Sequence, residues 1–122
     1  MFNLNFTILY VEDALTSAKL YAKLFGFQPV EASAGFCLFH FENGNKLGLW
    51  SKHTVVPATT LVDGVELAFP CLDETTLNEA VKLTASLGLA ITQPLTAMEF
   101  GKTFVVTDPD GHRLRFFVPS AN

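Results

Sequence analysis

Apolar and polar positions in the first half of the chain predict a strand, a helix and a second strand in that order. Asn5–Val11 has strand character, and Asp13 then offers an N-cap to a helix that ends at Gly26. Phe27–Ser33 predicts the second strand. The apolar face of the helix carries Ala14, Ala18, Tyr21 and Phe25.

A hairpin follows, with FCLFHF and KLGLWS as its strands and ENGN as its turn, from Phe36 to Ser51. Asn43-Gly44 is a strong signal for a two-residue type I′ turn. Such a turn places three pairs on one side of the sheet: Phe41 with Lys46, Phe39 with Gly48, and Cys37 with Trp50. An aromatic side chain opposite a glycine leaves a slot suited to a planar ring. Trp50 and its neighbours are therefore a candidate ligand wall.

The same order of elements starts again after a polar segment, residues 52–63, which is predicted to be a linker. Val65–Cys71 predicts a strand, and Asp73 offers an N-cap to a helix that ends at Gly88. Leu89–Leu95 predicts the next strand. The final hairpin then supplies two more strands.

The chain is therefore predicted to be one α+β domain, 1–122, built from two tandem β-α-β-β-β units. The half-units span about 1–51 and 64–119. In each of them a strand is followed directly by an aspartate that caps a helix. The repeat is inferred from this order of elements and caps, because the sequence identity between the halves is weak.

Composition excludes several classes of function. The chain is 49% hydrophobic with twelve phenylalanines, which is more aromatic surface than a small core needs, so part of it is expected to line a pocket or an interface. A net charge of −4 argues against nucleic-acid binding, and no stretch approaches the roughly 18 apolar residues of a membrane span. The beginning of the chain lacks the pattern of a signal peptide. Cys37 and Cys71 are interpreted as free thiols of a reducing cytoplasm.

Four motifs carry a resemblance to a known family: LYVED before the first helix, LFGFQPV after it, ELAFPCLD at the start of the second half, and TDPDGHRLRFF near the end. Together with the order of elements, they resemble the vicinal oxygen chelate superfamily of glyoxalase I, extradiol dioxygenases and bleomycin-resistance proteins. LGLWS and FGKTF…DPDGH are similar to phenazine-resistance and other drug-binding members. The resemblance covers the whole chain. It implies a concave sheet in each half, a homodimer, and a ligand cavity inside the concavity.

Enzymes of this superfamily hold a divalent metal at four positions, on the first and fourth strands of each half. Matching the motifs places Phe6, Gly48, Glu66 and Arg115 at these positions. Phenylalanine and glycine offer no side-chain ligand, and a guanidinium stays protonated and repels a cation. Only Glu66 is a ligand type, so neither a metal nor another cofactor is expected.

Glu66 and Arg115 carry opposite charges within apolar strands, where a lone charge is costly to bury. We expect them to form an ion pair at the place where relatives hold a metal. Arg113 and Lys102 are alternative partners for Glu66. Another interpretation is that both side chains of the pair point to solvent at a sheet edge.

Three hypotheses of function follow, and the absence of metal-ligating side chains at three of the four positions favours the first. On this first hypothesis the chain is a metal-free cytoplasmic protein that sequesters a small, planar or aromatic, antibiotic-like molecule. The second is a metal-dependent lyase or dioxygenase of the glyoxalase type, and the third is a dimer without a ligand. On the first hypothesis no residue is catalytic, and the ligand-binding residues are Trp50, Phe39, Phe41, Tyr10, Phe6, Phe100, Glu66 and Arg115. The aromatic members of this set are alternatively ordinary core residues or part of a dimer interface.

Overall fold

A computed structural model describes residues 2–62 and 64–120 of the chain. Contacts divide the chain into two compact units, Met1–Val62 and Asp63–Asn122. Each unit consists of a four-stranded mixed sheet and one helix that packs against it. The predicted α+β class is therefore confirmed, and the division between the units falls within the segment that was predicted to be a linker.

The first unit begins with a strand, continues with a helix and ends with a hairpin. Its elements are β1 (Phe6–Val11), α1 (Ala14–Phe25), β2 (Glu31–Ala32), β3 (Phe36–His40) and β4 (Lys46–Ser51). The strand order in the sheet is β1-β4-β3-β2, with β1 parallel to β4 and the other neighbours antiparallel.

Both ends of α1 form as the sequence predicts. The Asp13 carboxylate accepts a hydrogen bond from the backbone N–H of Thr16 at 3.0 Å, and bonds from Thr16 hold the pKa of Asp13 below its ordinary value. Gly26 closes the helix at a φ of 83°, and its N–H donates to the carbonyl of Ala22. Asp73 caps the helix of the second unit in the same way, through Thr76.

Helix α1 covers one side of the first sheet and leaves the other side partly exposed. Val11, Phe39, Leu49 and Tyr21 are 0% exposed where α1 covers the sheet. Strand alternation places Phe6, Ile8 and Tyr10 on the opposite side, where they are 38%, 42% and 44% exposed. The first unit therefore presents a largely apolar sheet face that its own helix does not cover.

The second unit repeats this arrangement. Its elements are β5 (Glu66–Pro70), α2 (Glu74–Ser86), β6 (Ala90–Met98), β7 (Gly101–Thr107) and β8 (Arg113–Pro119). The strand order is β5-β8-β7-β6, with β5 parallel to β8. Phe116 stacks between Phe69 and Phe104, with ring centroids 4.9 Å and 5.1 Å apart, and forms part of the core of this unit.

The DPDG motif forms the connection between β7 and β8. The Asp108 side chain is buried and accepts hydrogen bonds from the backbone N–H groups of Asp110 at 3.0 Å and His112 at 2.8 Å. Gly111 adopts a φ of 95°, a conformation that other residues rarely adopt, and donates its N–H to the carbonyl of Asp108. The motif therefore fixes the hairpin that carries the two arginines of β8.

Two predicted segments differ from the structure. The second strand was predicted at Phe27–Ser33 but covers only Glu31–Ala32. The ring of Phe27 instead packs against those of Phe39 and Phe41, with centroid distances of 6.0 Å and 5.3 Å. The backbone at Phe27 is therefore placed by packing of aromatic rings and not by hydrogen bonds to a neighbouring strand. The segment 52–63, predicted to be irregular, begins with a 3₁₀ turn at Lys52–Thr54.

Neither helix in the described part of the chain has both the length and the apolar character that crossing a bilayer requires.

Candidate functional site

The turn of the first hairpin decides which residues share a face with Trp50. The N–H of Phe41 donates to the carbonyl of Asn45 at 2.9 Å, and the N–H of Gly44 donates to the carbonyl of Phe41 at 3.0 Å. The loop therefore contains three residues, 42–44, and Gly44 takes a φ of 91° at its third position. The resulting pairs are Phe36 with Trp50, Leu38 with Gly48, and His40 with Lys46.

The predicted pairing of this hairpin is therefore wrong by one residue. A shift of one residue turns every side chain of a strand to the other face of the sheet. Phe39 pairs with Leu47 and is 0% exposed, with its ring 5.3 Å from that of Phe25. Phe41 lies 4.9 Å from the same ring. Phe39 and Phe41 belong to the cluster under α1, and the prediction that they form a wall with Trp50 is wrong.

We call the uncovered side of the first sheet the aromatic face. Register places three rows of side chains across β1, β4 and β3 on this face. The rows are Tyr10–Trp50–Phe36, then Ile8–Gly48–Leu38, then Phe6–Lys46–His40.

Trp50 stands in the middle of the first row. Its ring meets that of Tyr10 at a centroid distance of 6.3 Å and an interplanar angle of 81°, and that of Phe36 at 6.2 Å and 89°. Edge contacts on both sides limit the rotation of the indole. Trp50 is half-buried, so part of it stays accessible to a ligand.

The space above Gly48 is filled by two rings of the protein itself. A Cβ atom at Gly48 would lie 2.8 Å from Cζ of Phe36 and 3.1 Å from Cε1 of Phe6. The prediction of a slot there that receives a ligand ring is therefore wrong. Phe36 is the aromatic residue that the sequence reasoning missed. The sequence signal that identifies Phe36 is Gly44. If Gly44 is taken as the third residue of a three-residue loop, and not as the second residue of a tight turn, the register pairs Phe36 with Trp50.

In the second unit, Arg115 lies at the centre of a polar network on β8. Its Nε donates to Oε1 of Glu66 at 2.6 Å, and Nη2 lies 3.4 Å from Oε2. Nη1 donates to Gln93 Oε1 at 3.0 Å and to Thr103 Oγ1 at 3.2 Å. The ion pair expected from the sequence is thus present. Lys102, one of the alternative partners, pairs with Glu74 instead.

Phe100 belongs to the same unit as Arg115. It lies in the turn between β6 and β7, and its ring centroid is 5.6 Å from Cζ of Arg115. Gly101 follows at a φ of 146°, and a Cβ there would overlap the carbonyl oxygen of Val118. Ser120 donates its N–H to the carbonyl of Phe100 at 2.8 Å. Phe100 is therefore held beside the guanidinium by a turn that requires glycine.

Comparison with known proteins decides the family. The model of the Glyoxalase/Bleomycin resistance protein/Dioxygenase superfamily matches residues 3–116. The chain belongs to this superfamily. It is 25% identical over 114 residues to the phenazine antibiotic resistance protein EhpR of Enterobacter agglomerans, covering 91% of this chain and 88% of that protein.

Solved structures share the fold over nearly the whole chain. Protein ATC0852 of Agrobacterium tumefaciens is 43% identical, with a TM-score of 0.90 over 99% of this chain and 100% of that one. A glyoxalase-related enzyme of Fulvimarina pelagi is 22% identical, with a TM-score of 0.86 over 97% of this chain and 88% of that one. At this lower identity, the likeness to the Fulvimarina enzyme concerns the fold alone.

The four positions aligned with the metal ligands of the superfamily do not fit a divalent cation. Phe6 and Gly48 supply no donor atom, and the positive charge of Arg115 opposes one. Glu66 has a carboxylate, but both of its oxygens face the Arg115 guanidinium. Within residues 2–62 and 64–120, no three His, Cys, Asp or Glu side chains form a group that could hold a metal ion.

The two cysteines are free thiols. Burial raises the pKa of Cys37, which is fully enclosed, and also that of Cys71. A raised pKa keeps a thiol protonated at neutral pH, and the thiol form is a poor nucleophile. Neither environment is one that activates a cysteine for catalysis.

Proposed function

We propose that this member of the superfamily binds and sequesters a small planar aromatic molecule without a metal. The observation that carries the proposal is the first row of the aromatic face, in which Trp50 stands between Tyr10 and Phe36 on a side of the sheet that α1 leaves open. Aromatic side chains hold planar ligands by offset stacking and edge contacts. Phe6 extends the same surface beyond Gly48.

The relationship to EhpR supports the class of ligand. That protein is named for resistance to phenazine, a planar molecule of three fused rings, and 25% identity links it to this chain. The proposed ligand-binding residues of the first unit are Trp50, Tyr10, Phe6 and Phe36. The proposed ligand-binding residues of the second unit are Arg115, Glu66 and Phe100. The charges of Arg115 and Glu66 neutralise each other, and Phe100 lies beside the guanidinium.

The alternative function is a metal-dependent lyase or dioxygenase of the glyoxalase type. Such chemistry needs a cation to polarise or activate the substrate. Of the four aligned positions only Glu66 has a ligand atom, and Arg115 already binds it. The residue types of this chain therefore favour binding over metal-dependent catalysis.

A thermal-shift titration with phenazine compounds tests the proposal. A ligand that binds only the native state raises its stability by about 2.7 kcal/mol at a concentration of 100 Kd, and therefore raises the melting temperature. A saturated, uncharged ring compound of similar size is the control, because it lacks both a π system and a charge and should give no shift. If neither phenazines nor other planar aromatic compounds change the melting temperature at their solubility limit, the proposed function is wrong.

Metal content provides an independent prediction. We expect the purified protein to contain far less than one equivalent of divalent metal per chain, because Phe6, Gly48 and Arg115 occupy three of the four aligned positions. Elemental analysis after dialysis without chelator measures it. About one zinc, nickel or iron per chain would contradict this prediction, as would glyoxalase turnover on addition of a metal.

We also expect the protein to be a homodimer in solution. The aromatic face exposes large apolar side chains, and the outermost strands of both sheets have edges without a partner inside their own unit. A second copy of the chain is one way to cover such surfaces. Light scattering at micromolar concentration should give twice the mass of the chain, and the mass of a single chain would refute the expectation.

A further inference from the structure

Among the four described strands of the first sheet, Lys46 is the one lysine or arginine on the aromatic face. It lies on β4, four residues before Trp50, so alternation places both side chains on the same side of the sheet. Its Nζ lies 5.5 Å from the ring centroid of Phe6, its neighbour on β1. The residue is half-buried. This contact with the ring directs the ammonium along the face rather than away from it.

No carboxylate within residues 2–62 and 64–120 forms an ion pair with Lys46. Within the four strands of the first sheet, register places one acidic residue, Glu31, on the aromatic face. Glu31 lies two strands away from β4, which is about 10 Å sideways. Three other cations near the sheets have a carboxylate partner: Lys52 pairs with Glu12, Lys102 with Glu74, and Arg115 with Glu66. Arg113 on β8 is exposed to solvent.

We propose that the aromatic face selects planar aromatic acids, whose ring contacts Trp50 and whose anionic group pairs with Lys46. The proposal rests on the proposed function and names the class of ligand. A half-buried ammonium without a counterion attracts an anion more strongly than a fully hydrated one. An acid that binds beside Trp50 supplies that anion.

The dimensions of the face allow one molecule to reach both groups. Gly48 lies halfway between Lys46 and Trp50 on β4, about 7 Å from each along the strand. The Phe6 ring reaches the position above Gly48, and Nζ of Lys46 lies 5.5 Å from the centroid of that ring. Two or three fused rings with an acidic substituent are long enough to extend from Trp50 across Gly48 toward the ammonium.

Arg115 is less suited to select an acid. Glu66 already neutralises its charge, and Gln93 and Thr103 occupy its Nη1 donors. An additional carboxylate would have to compete with Glu66 for the guanidinium. Lys46 has three N–H donors and no such competitor among the described residues.

Quenching of Trp50 fluorescence by two matched probes tests the inference, because Trp50 is the sole tryptophan. Phenazine-1-carboxylate is an anion at neutral pH, and phenazine-1-carboxamide is a neutral molecule of the same size. We expect the acid to bind about 5 to 10 times more tightly than the amide. Raising the salt concentration from about 0.05 to about 0.5 M should shrink this ratio, because salt screens the charge but not the stacking.

Variants assign the preference to a residue. Lys46→Gln should bring the acid-to-amide ratio close to one, and Lys46→Arg should keep the preference because the charge and the contact with Phe6 are retained. Lys82→Gln is the matched control, since it removes one positive charge from an exposed position on α2. That control should leave the ratio as it is in the original chain.

The outcomes separate this inference from the proposed function. If the amide quenches Trp50 but the acid binds no more tightly, or if the ratio survives in Lys46→Gln, the selection of acids is wrong while binding of planar molecules stands. The inference is also wrong if the preference for the acid disappears in Arg113→Gln or Arg115→Gln but remains in Lys46→Gln. That result would mean that the anionic group binds to the second unit. If neither probe binds, the inference is wrong, and the proposed function is wrong as well if no other planar aromatic compound raises the melting temperature.

Discussion

Replacing Phe39 by alanine is expected to lower the free energy of unfolding by about 3–5 kcal/mol, the largest stability effect that we predict. Phe39 is 0% exposed, and its ring contacts those of Phe25 and Phe27 at centroid distances of 5.3 Å and 6.0 Å. The truncation therefore leaves a cavity beneath α1 that the surrounding rings cannot fill without moving. Urea unfolding with an unchanged slope would measure the loss.

Phe36→Ala is the matched variant for this experiment, because Phe36 lies on the same strand and faces the opposite way. The residue is half-buried, so we expect a loss of roughly 1–2 kcal/mol. The difference between the two variants tests the register of the hairpin. A two-residue turn would place Phe39 on the aromatic face and Phe36 under the helix, and would reverse the order of the two losses.

Replacing Trp50 by alanine is expected to weaken the binding of a phenazine by roughly 1–3 kcal/mol, or about 5- to 150-fold. The indole is the largest ring of the aromatic face, and the edges of Tyr10 and Phe36 hold it in place. Folding should suffer less than in Phe39→Ala, because Trp50 is only half-buried. Since the substitution removes the fluorophore, calorimetry is the suitable measurement.

Phe41→Ala is the control for that affinity. Phe41 was predicted from the sequence to share a wall with Trp50, but its ring packs against Phe25 and Phe27 on the other side of the sheet. The variant should lose stability and keep its affinity for the phenazine. Retained affinity together with a collapsed fold in Trp50→Ala would instead mean that Trp50 is a core residue and that the ligand binds elsewhere.

Local signals predicted most of the elements, because the interactions that decide them lie within a few residues of each other. Each helix begins where an aspartate accepts the N–H of the residue three positions later, and the first ends where Gly26 takes a positive φ. The DPDG turn is another local structure, since Asp108 binds the backbone of Asp110 and His112. The ion pair of Glu66 and Arg115 was predicted for an energetic reason, namely the cost of an unpaired charge within an apolar strand.

The other partners of Arg115 could not be predicted. Gln93 lies on β6, in a stretch where the pairing with β7 is irregular, and β7 separates that strand from β8. No spacing in the sequence connects Gln93 to Arg115. The contact exists because three strands bring the two side chains together, so it becomes visible only in the folded sheet.

The sequence by itself determined the order of the elements, the caps, the two-unit repeat and the superfamily. Only the tertiary structure decided which aromatic residues share a face with Trp50. The alternating pattern of β3 looks apolar on both sides, with Phe36 and Leu38 on one and Cys37 and Phe39 on the other, so either register buries apolar side chains. ENGN is compatible with a loop of two residues or of three. Packing of Phe39 against α1 distinguishes the two, and that packing involves residues distant in the sequence.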